Sequence, residues 1–150
     1  MSDNVTPFRR PKPVRPQQQG GLGIKTHRGK VVLAHLLTIA AFLVNFFLRG
    51  FPWSLLGLVI GVAAVLIVYA NRGTAMPWAN THHEHALRTL IIGYALWMLA
   101  GLLILISDGL ANVTIILQLG IAIWAVLRAG VALVLGVMRK PIPNPRGWFI

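Results

Sequence analysis

Read for hydrophobic and polar positions, the chain falls into four apolar runs separated by short polar breaks. VVLAHLLTIAAFLVNFFL (31–48) carries His35, Thr38 and Asn45 but no formally charged side chain. FPWSLLGLVIGVAAVLIVYA (51–70) follows a tight RGFPW turn, in which Pro52 suits a first helical turn. TLIIGYALWMLAGLLILI (89–106) ends at SDG, and the fourth run extends from near Leu110 to Met138, interrupted only by Arg128. Each run has 18 residues or more, and a helix needs about 20 residues to cross ~30 Å of hydrocarbon. Backbone amides cannot stay unpaired in lipid, so runs of this length predict helices. Strands of a membrane barrel would alternate polar and apolar at every second position, which these do not. The pattern therefore predicts an all-α integral membrane four-helix bundle of two antiparallel hairpins, with spans at about 31–49, 52–70, 82–106 and 110–138.

Residues 1–30 break the pattern. They hold four prolines, a QQQ run, a GG pair and seven Lys or Arg, with little that could be buried. This composition predicts a disordered basic tail ahead of a membrane domain covering 31–150. It is too long for the charged region of a secretory signal, so no cleavage is expected. Across all 150 residues only 11% are charged and 56% are hydrophobic, where a soluble domain carries about a quarter charged residues. The formal charge of +11 sits in the tail and at the ends of apolar runs. Anionic lipid head groups are the nearer partner there, and no nucleic-acid binding is expected. Cysteine is absent, which excludes disulfides and thiolate chemistry. Lys and Arg concentrate in the tail, the 71–88 connection and the last segment, whereas the opposite connections hold Arg49 and Asp108. By the positive-inside rule both termini are expected in the cytoplasm.

The densest polar stretch is NTHHEHALRTL (80–90). THHE fits a capping box, with Thr81 as N-cap and Glu84 at N3 of the third helix. Glu84 also precedes Arg88 by four residues, the favourable order for a helical ion pair. A metal reading of the same stretch uses His82 and His85, at i, i+3 on one helical face, with His35 brought to similar depth from helix 1. The H-E-x-x-H order of zinc proteases is missing, so capping is the preferred reading, and no metal, cofactor or catalytic residue is expected. Along helix 1, His35, Thr38, Asn45 and Arg49 fall within an arc of about 80°, and Thr114, Gln118 and Arg128 share another on helix 4. Interhelical hydrogen bonding is the expected use of Thr38, Asn45 and Gln118. Arg128 is costlier: an arginine at mid-span costs about 2.5–3.5 kcal/mol on insertion scales. With Arg88 nearby and Glu84 as the one acid on that side, a positive excess is expected at Glu84, Arg88 and Arg128, suited to a lipid phosphate or an acidic partner. Gly57 and Gly61 form a GxxxG on helix 2 that permits close helix contact.

Two stretches carry a resemblance. THHEHALRTLIIG (81–93) resembles the loop-into-helix segment of small bacterial membrane proteins of the Tic-twenty-like group. R-A-G (128–130) with KPIPNPRGWF (140–149) resembles their closing segment. By position His82, Arg88, Thr89, Arg128, Pro145 and Trp148 correspond to recurring residues of that family, while His-Glu-His-Ala at 83–86 departs from it. The resemblance implies a four-helix membrane fold in a bacterial inner membrane. It also implies kinship with protein translocation components.

No nucleophile–base pair, phosphate-binding loop or carboxylate pair stands out. The expected function is accordingly non-enzymatic: a scaffold, accessory or assembly subunit that binds another membrane protein (or a second copy) and anionic lipid at its cytoplasmic face. A translocation or channel component is the first alternative. A metal or haem membrane enzyme using the histidines is the second.

Overall fold

The computed structural model describes residues 22–148, so the expectation of a disordered tail falls outside the described residues for positions 1–21. Among the described residues there are four long α-helices and no strand: α1 (His27–Phe47), α2 (Trp53–Asn71), α3 (Pro77–Ile106) and α4 (Ala111–Val137), the last preceded by a short 3-10 turn at Asp108–Leu110. All four are long and apolar enough to cross a membrane, the make-up of a multi-pass membrane protein.

Two helices start a turn earlier than hydropathy alone predicts. Thr26 sits in extended conformation and its hydroxyl accepts from the Gly29 amide at 3.0 Å, an N-cap that begins α1 at His27 rather than 31. Gly29 has no room for a side chain, because the backbone of Leu22 and Gly23 folds directly over it. α3 begins at Pro77, where the missing N–H costs nothing. Met76 before it is held extended, as residues preceding proline are. The expected cap at Thr81 and Glu84 is therefore corrected: both lie inside α3, past its first turn. Thr81 Oγ1 donates to the Trp78 carbonyl at 2.7 Å instead. Asn80 does the work of tying down the entry, taking the Gly73 amide at 3.0 Å and donating to the Ala75 carbonyl at 3.1 Å.

α1 and α3 form the inner diagonal. α1 touches all three other helices, α3 does likewise, and α2 and α4 do not meet among the described residues. Small side chains make this approach possible. The small buried positions on α4 are Ala122, Ala125, Ala129, Ala132 and Gly136, a seam with alternating steps of three and four. α2 repeats the device with Gly57, Gly61, Ala64 and Val68. Small residues let helix backbones approach closely enough for van der Waals packing to hold them, the device that membrane helices use. Large residues are correspondingly turned outward: Val59 and Leu66 on α2, Ile116 and Leu127 on α4 are each more than 60% exposed.

The centre is Phe42, fully buried against Leu90, Ala64, Ala122 and Ala125, with its ring 5.2 Å from that of Tyr94. Gly57 and Gly61 each receive a side chain, Asn45 on the first and Tyr94 on the second. Tyr94 donates to the Gly57 carbonyl at 2.9 Å and accepts from Asn45 Nδ2 at 3.1 Å, so three helices share one polar contact. Thr38 donates to the Ala34 carbonyl of its own helix, and Thr114 to the Ala100 carbonyl of α3.

Candidate functional site

The polar side chains gather where the starts of α1 and α3 meet the ends of α2 and α4, here termed the proximal end. Lys30 near the start of α1 reaches Asn71 at the end of α2, at 2.6 Å. Val137 closes α4, and a left-handed Arg139 (φ 56°) then turns the chain back. The amides of Arg139 and Lys140 bond to the carbonyls of Gly136 and Leu135, which completes the helix end. This turn aims the Lys140 carbonyl at α3.

There it meets a buried histidine chain. His82 Nε2 lies 2.8 Å from the Lys140 carbonyl, and His82 Nδ1 lies 3.1 Å from His35 Nε2. A carbonyl can only accept, so in the neutral state His82 must carry its proton on Nε2. Its Nδ1 is then the acceptor, and the proton between the rings belongs to His35 Nε2. The chain has one direction, from α1 through α3 to the closing segment. Gly136 gives it space, since a Cβ there would lie 2.7 Å from Val31 and 3.5 Å from His82 Cε1. His35, His82, His83 and His85 are all buried, and among the described residues both ring nitrogens of His83 and His85 have no hydrogen-bond partner of good geometry.

As a candidate metal set, His35, His82 and His85 do come together. The His35 and His82 rings lie 5.3 Å apart, and the His35 and His85 rings 6.2 Å. Their geometry is not that of ligands: the His35 and His82 nitrogens face each other, and the remaining His82 nitrogen is spent on Lys140. Among the described residues no group of three His, Cys, Asp or Glu is arranged to hold a metal ion.

The second grouping surrounds Glu84, one turn along α3 from Asn80. Glu84 Oε1 meets Arg88 Nε at 2.9 Å, the i, i+4 pair the spacing predicts. Its Oε2 meets Arg72 Nε at 3.0 Å from the α2–α3 connection, and Arg146 of the closing segment stands 3.9 Å from Oε1. One largely buried carboxylate thus pairs closely with two partly exposed guanidinium groups and more loosely with a third, exposed one, a local charge of +2. Arg72 and Arg146 are missing from the sequence reading. Both arrive through loops whose return path has no periodic signal.

Arg128 goes elsewhere. It is 4% exposed, and its Nε donates to Thr89 Oγ1 at 2.8 Å, while the Thr89 hydroxyl donates to the His85 carbonyl. The expected Glu84–Arg88–Arg128 group is therefore divided: Arg88 pairs with Glu84, and Arg128 is bonded one residue further along α3. The closing segment ties these parts together. Ile142, 2% exposed, has its amide on Thr81 Oγ1 at 3.0 Å, and Trp124 Nε1 donates to the Trp148 carbonyl at 3.2 Å.

Comparison with known proteins returns no match: no family model fits the chain, and no curated protein and no solved structure is significantly similar to it.

Proposed function

We propose that the chain is a multi-pass protein of a bacterial inner membrane, acting as a non-enzymatic scaffold, accessory or assembly subunit that binds another membrane protein and anionic lipid at its cytoplasmic face. The observation that carries this is the convergence of Arg72, Arg88 and Arg146 on the single carboxylate of Glu84. A carboxylate that pairs with two arginines and draws in a third leaves two positive charges uncompensated and close together. Guanidinium forks of this kind suit phosphate and carboxylate groups.

The contacts favour two antiparallel hairpins. Lys30 meets Asn71 at one end of α1 and α2, while Asn45 packs on Gly57 at the other. Thr89 meets Arg128, and Ala100 meets Thr114, along α3 and α4. Lys25, Arg28, Lys30, Arg72, Arg88, Lys140 and Arg146 belong to the proximal end or the segments entering it, against Arg49 near the other. The positive-inside rule assigns the richer end to the cytoplasm, where each Lys or Arg near an anionic surface is worth about 1 kcal/mol. Reporter fusions at the two chain ends are expected to report the same, cytoplasmic side. Opposite sides would overturn the topology.

A translocation role is the reading that the Tic-twenty-like resemblance favours, and it needs a polar path. Thr38, Asn45 and Thr114 spend their hydrogen bonds within the bundle, so such a path would have to form between copies. Crosslinking in native membranes with mass spectrometry tests the scaffold reading. Capture of another membrane protein is expected, reduced about fivefold or more when Arg72, Arg88 and Arg146 are all changed to Gln, if one charge pair worth ~1 kcal/mol is lost. Only self-contacts in wild type would overturn it.

A further inference from the structure

The arginines around Glu84 are reachable from outside. Arg72 and Arg88 side chains are 48% and 40% exposed and Arg146 is 74% exposed, whereas Glu84 behind them is 16% exposed. Arg72 follows the last residue of α2, Arg88 stands one residue before the apolar run of α3, and Arg146 arrives on the closing segment. All three meet at Glu84, so the group lies at the margin of the apolar runs rather than within them.

Two of the guanidinium groups are held in register. Arg72 Nε and Arg88 Nε stand 3.0 and 2.9 Å from the two oxygens of one carboxylate. Those oxygens are about 2.2 Å apart, so the two nitrogens lie within about 8 Å of each other. Glu84 is met through Nε in each case, and among the described residues no hydrogen bond uses the Nη groups of Arg72, Arg88 or Arg146. Their N–H groups remain for a second anion. Arg146, the loosest at 3.9 Å and the most exposed, can swing onto the same anion.

Charge and oxygen count decide which anion fits. A carboxylate brings one charge and two oxygens in a plane. A phosphodiester also brings one charge and two free oxygens. A phosphate monoester brings three acceptor oxygens and close to two charges at neutral pH, which matches three guanidinium groups and a local charge of +2. We propose that the Arg72–Arg88–Arg146 face selects a lipid ending in a phosphate monoester, with phosphatidic acid as its simplest form, over lipids whose phosphate is a diester. This rests on the reading of the face as an anionic-lipid surface and names the head group it takes. Glu84 is the positioning residue: it keeps two guanidinium groups within the span of one phosphate, whose charge-assisted bonds are about 2.7–2.9 Å long.

The test uses the full chain in neutral detergent micelles that contain equal amounts of phosphatidic acid, phosphatidylglycerol and phosphatidylcholine with the same acyl chains. Lipids retained on the protein are counted by native mass spectrometry. At about pH 8.5 phosphatidic acid is expected to be retained about fivefold over phosphatidylglycerol, the worth of one further charge contact. At about pH 5, below the second ionisation of a phosphate monoester near 6, the ratio is expected to fall toward unity. The lipids share each micelle, so titration of the protein's own histidines acts on both anionic lipids alike. Arg72→Gln with Arg88→Gln is expected to abolish the preference. Lys25→Gln with Lys140→Gln removes as many charges from the same end but outside the group, and is expected to lower retention of both anionic lipids while leaving their ratio.

Equal retention of the two anionic lipids at both pH values would overturn the selection and leave the anionic-lipid reading standing, provided both exceed phosphatidylcholine. Retention of neither over phosphatidylcholine would remove that reading as well. A preference that survives Arg72→Gln with Arg88→Gln, or that Lys25→Gln with Lys140→Gln abolishes, would trace it to bulk charge and overturn the proposal. Free glycerol phosphate at equal concentration is expected to displace nothing; displacement would make a soluble phosphate the ligand. Displacement by an acidic peptide at equal concentration would assign the face to a protein partner and likewise overturn it.

Discussion

Changing Gly93 to Leu is expected to destabilise the bundle by about 2–3 kcal/mol, the upper part of the overpacking range, and changing Phe42 to Ala in the same chain is expected to return part of that loss. A Cβ on Gly93 overlaps the end of the Phe42 ring, with Cε1 at 3.0 Å and Cε2 at 3.3 Å. The ring cannot swing clear. It is enclosed by Leu90, Ala64, Ala122 and Ala125, and the rings of Tyr94 and Trp97 stand 5.2 and 6.2 Å from it. Phe42→Ala alone leaves a cavity at the crossing of α1 and α3. In soluble cores Phe→Ala costs about 3–5 kcal/mol, and part of that is transfer from water. In the proposed membrane setting the displaced side chain goes to lipid, so the packing share remains, on the order of 2 kcal/mol. Leucine at 93 fills the space that alanine at 42 empties. The double variant is therefore expected to be about 1–2 kcal/mol more stable than the sum of the single changes predicts. Reversible unfolding in mixed micelles, followed by circular dichroism, measures all four corners of the cycle. Additive losses would show that the two residues do not share one volume.

That coupling was invisible in the sequence, although the four helices were not. Hydropathy located all four helices, because long apolar runs that pair their own amides have few alternatives to helix. Ends were harder to place. Thr26 and Pro77 carry ordinary start signals, but they lie outside the apolar runs, so an apolar criterion starts α1 and α3 too late. THHE misled in the same sense: Thr-x-x-Glu also occurs inside helices, and here Glu84 serves arginines rather than a free amide. The alanine seam at 122, 125, 129 and 132 was readable as a step of three and four, yet alanine adds so little to hydropathy that Gly57 and Gly61 drew the attention instead. The site divided along the same line. Glu84 and Arg88 were legible because four residues is a helical step. Arg72, Arg146 and the Lys140 carbonyl were not, because their positions depend on how two irregular segments return to α3.

The return of the closing segment can be tested at its anchor. Replacing His82 with Leu leaves the Lys140 carbonyl without its donor and His35 Nε2–H without its acceptor. His35 Nε2, fully buried, costs about 1–3 kcal/mol when left unpaired, and the partly buried Lys140 carbonyl less. Arg139 adds to the tendency to open, since a left-handed residue other than glycine costs about 1–2 kcal/mol and is held at φ 56° by bonds on both sides. Thr81→Ala removes the second anchor, the acceptor of the Ile142 amide. In the double variant a loss of about 3 kcal/mol is expected, and trypsin should cut at Arg146–Gly147 on the order of 100-fold faster, because cleavage follows the open population when closing is fast. His82→Gln, whose side-chain amide can still donate toward Lys140, is expected to fall between wild type and His82→Leu. Helix content by circular dichroism should change little throughout, as the anchor lies outside the four helices' own ladders. An unchanged cleavage rate in the double variant would mean that the segment is held by Ile142 burial and the Trp124–Trp148 contact instead. If the rate does rise, the consequence reaches Glu84: Arg146 travels with the segment, so opening removes one of the three arginines from the charged face and ties its strength to a hydrogen bond on a histidine two residues away.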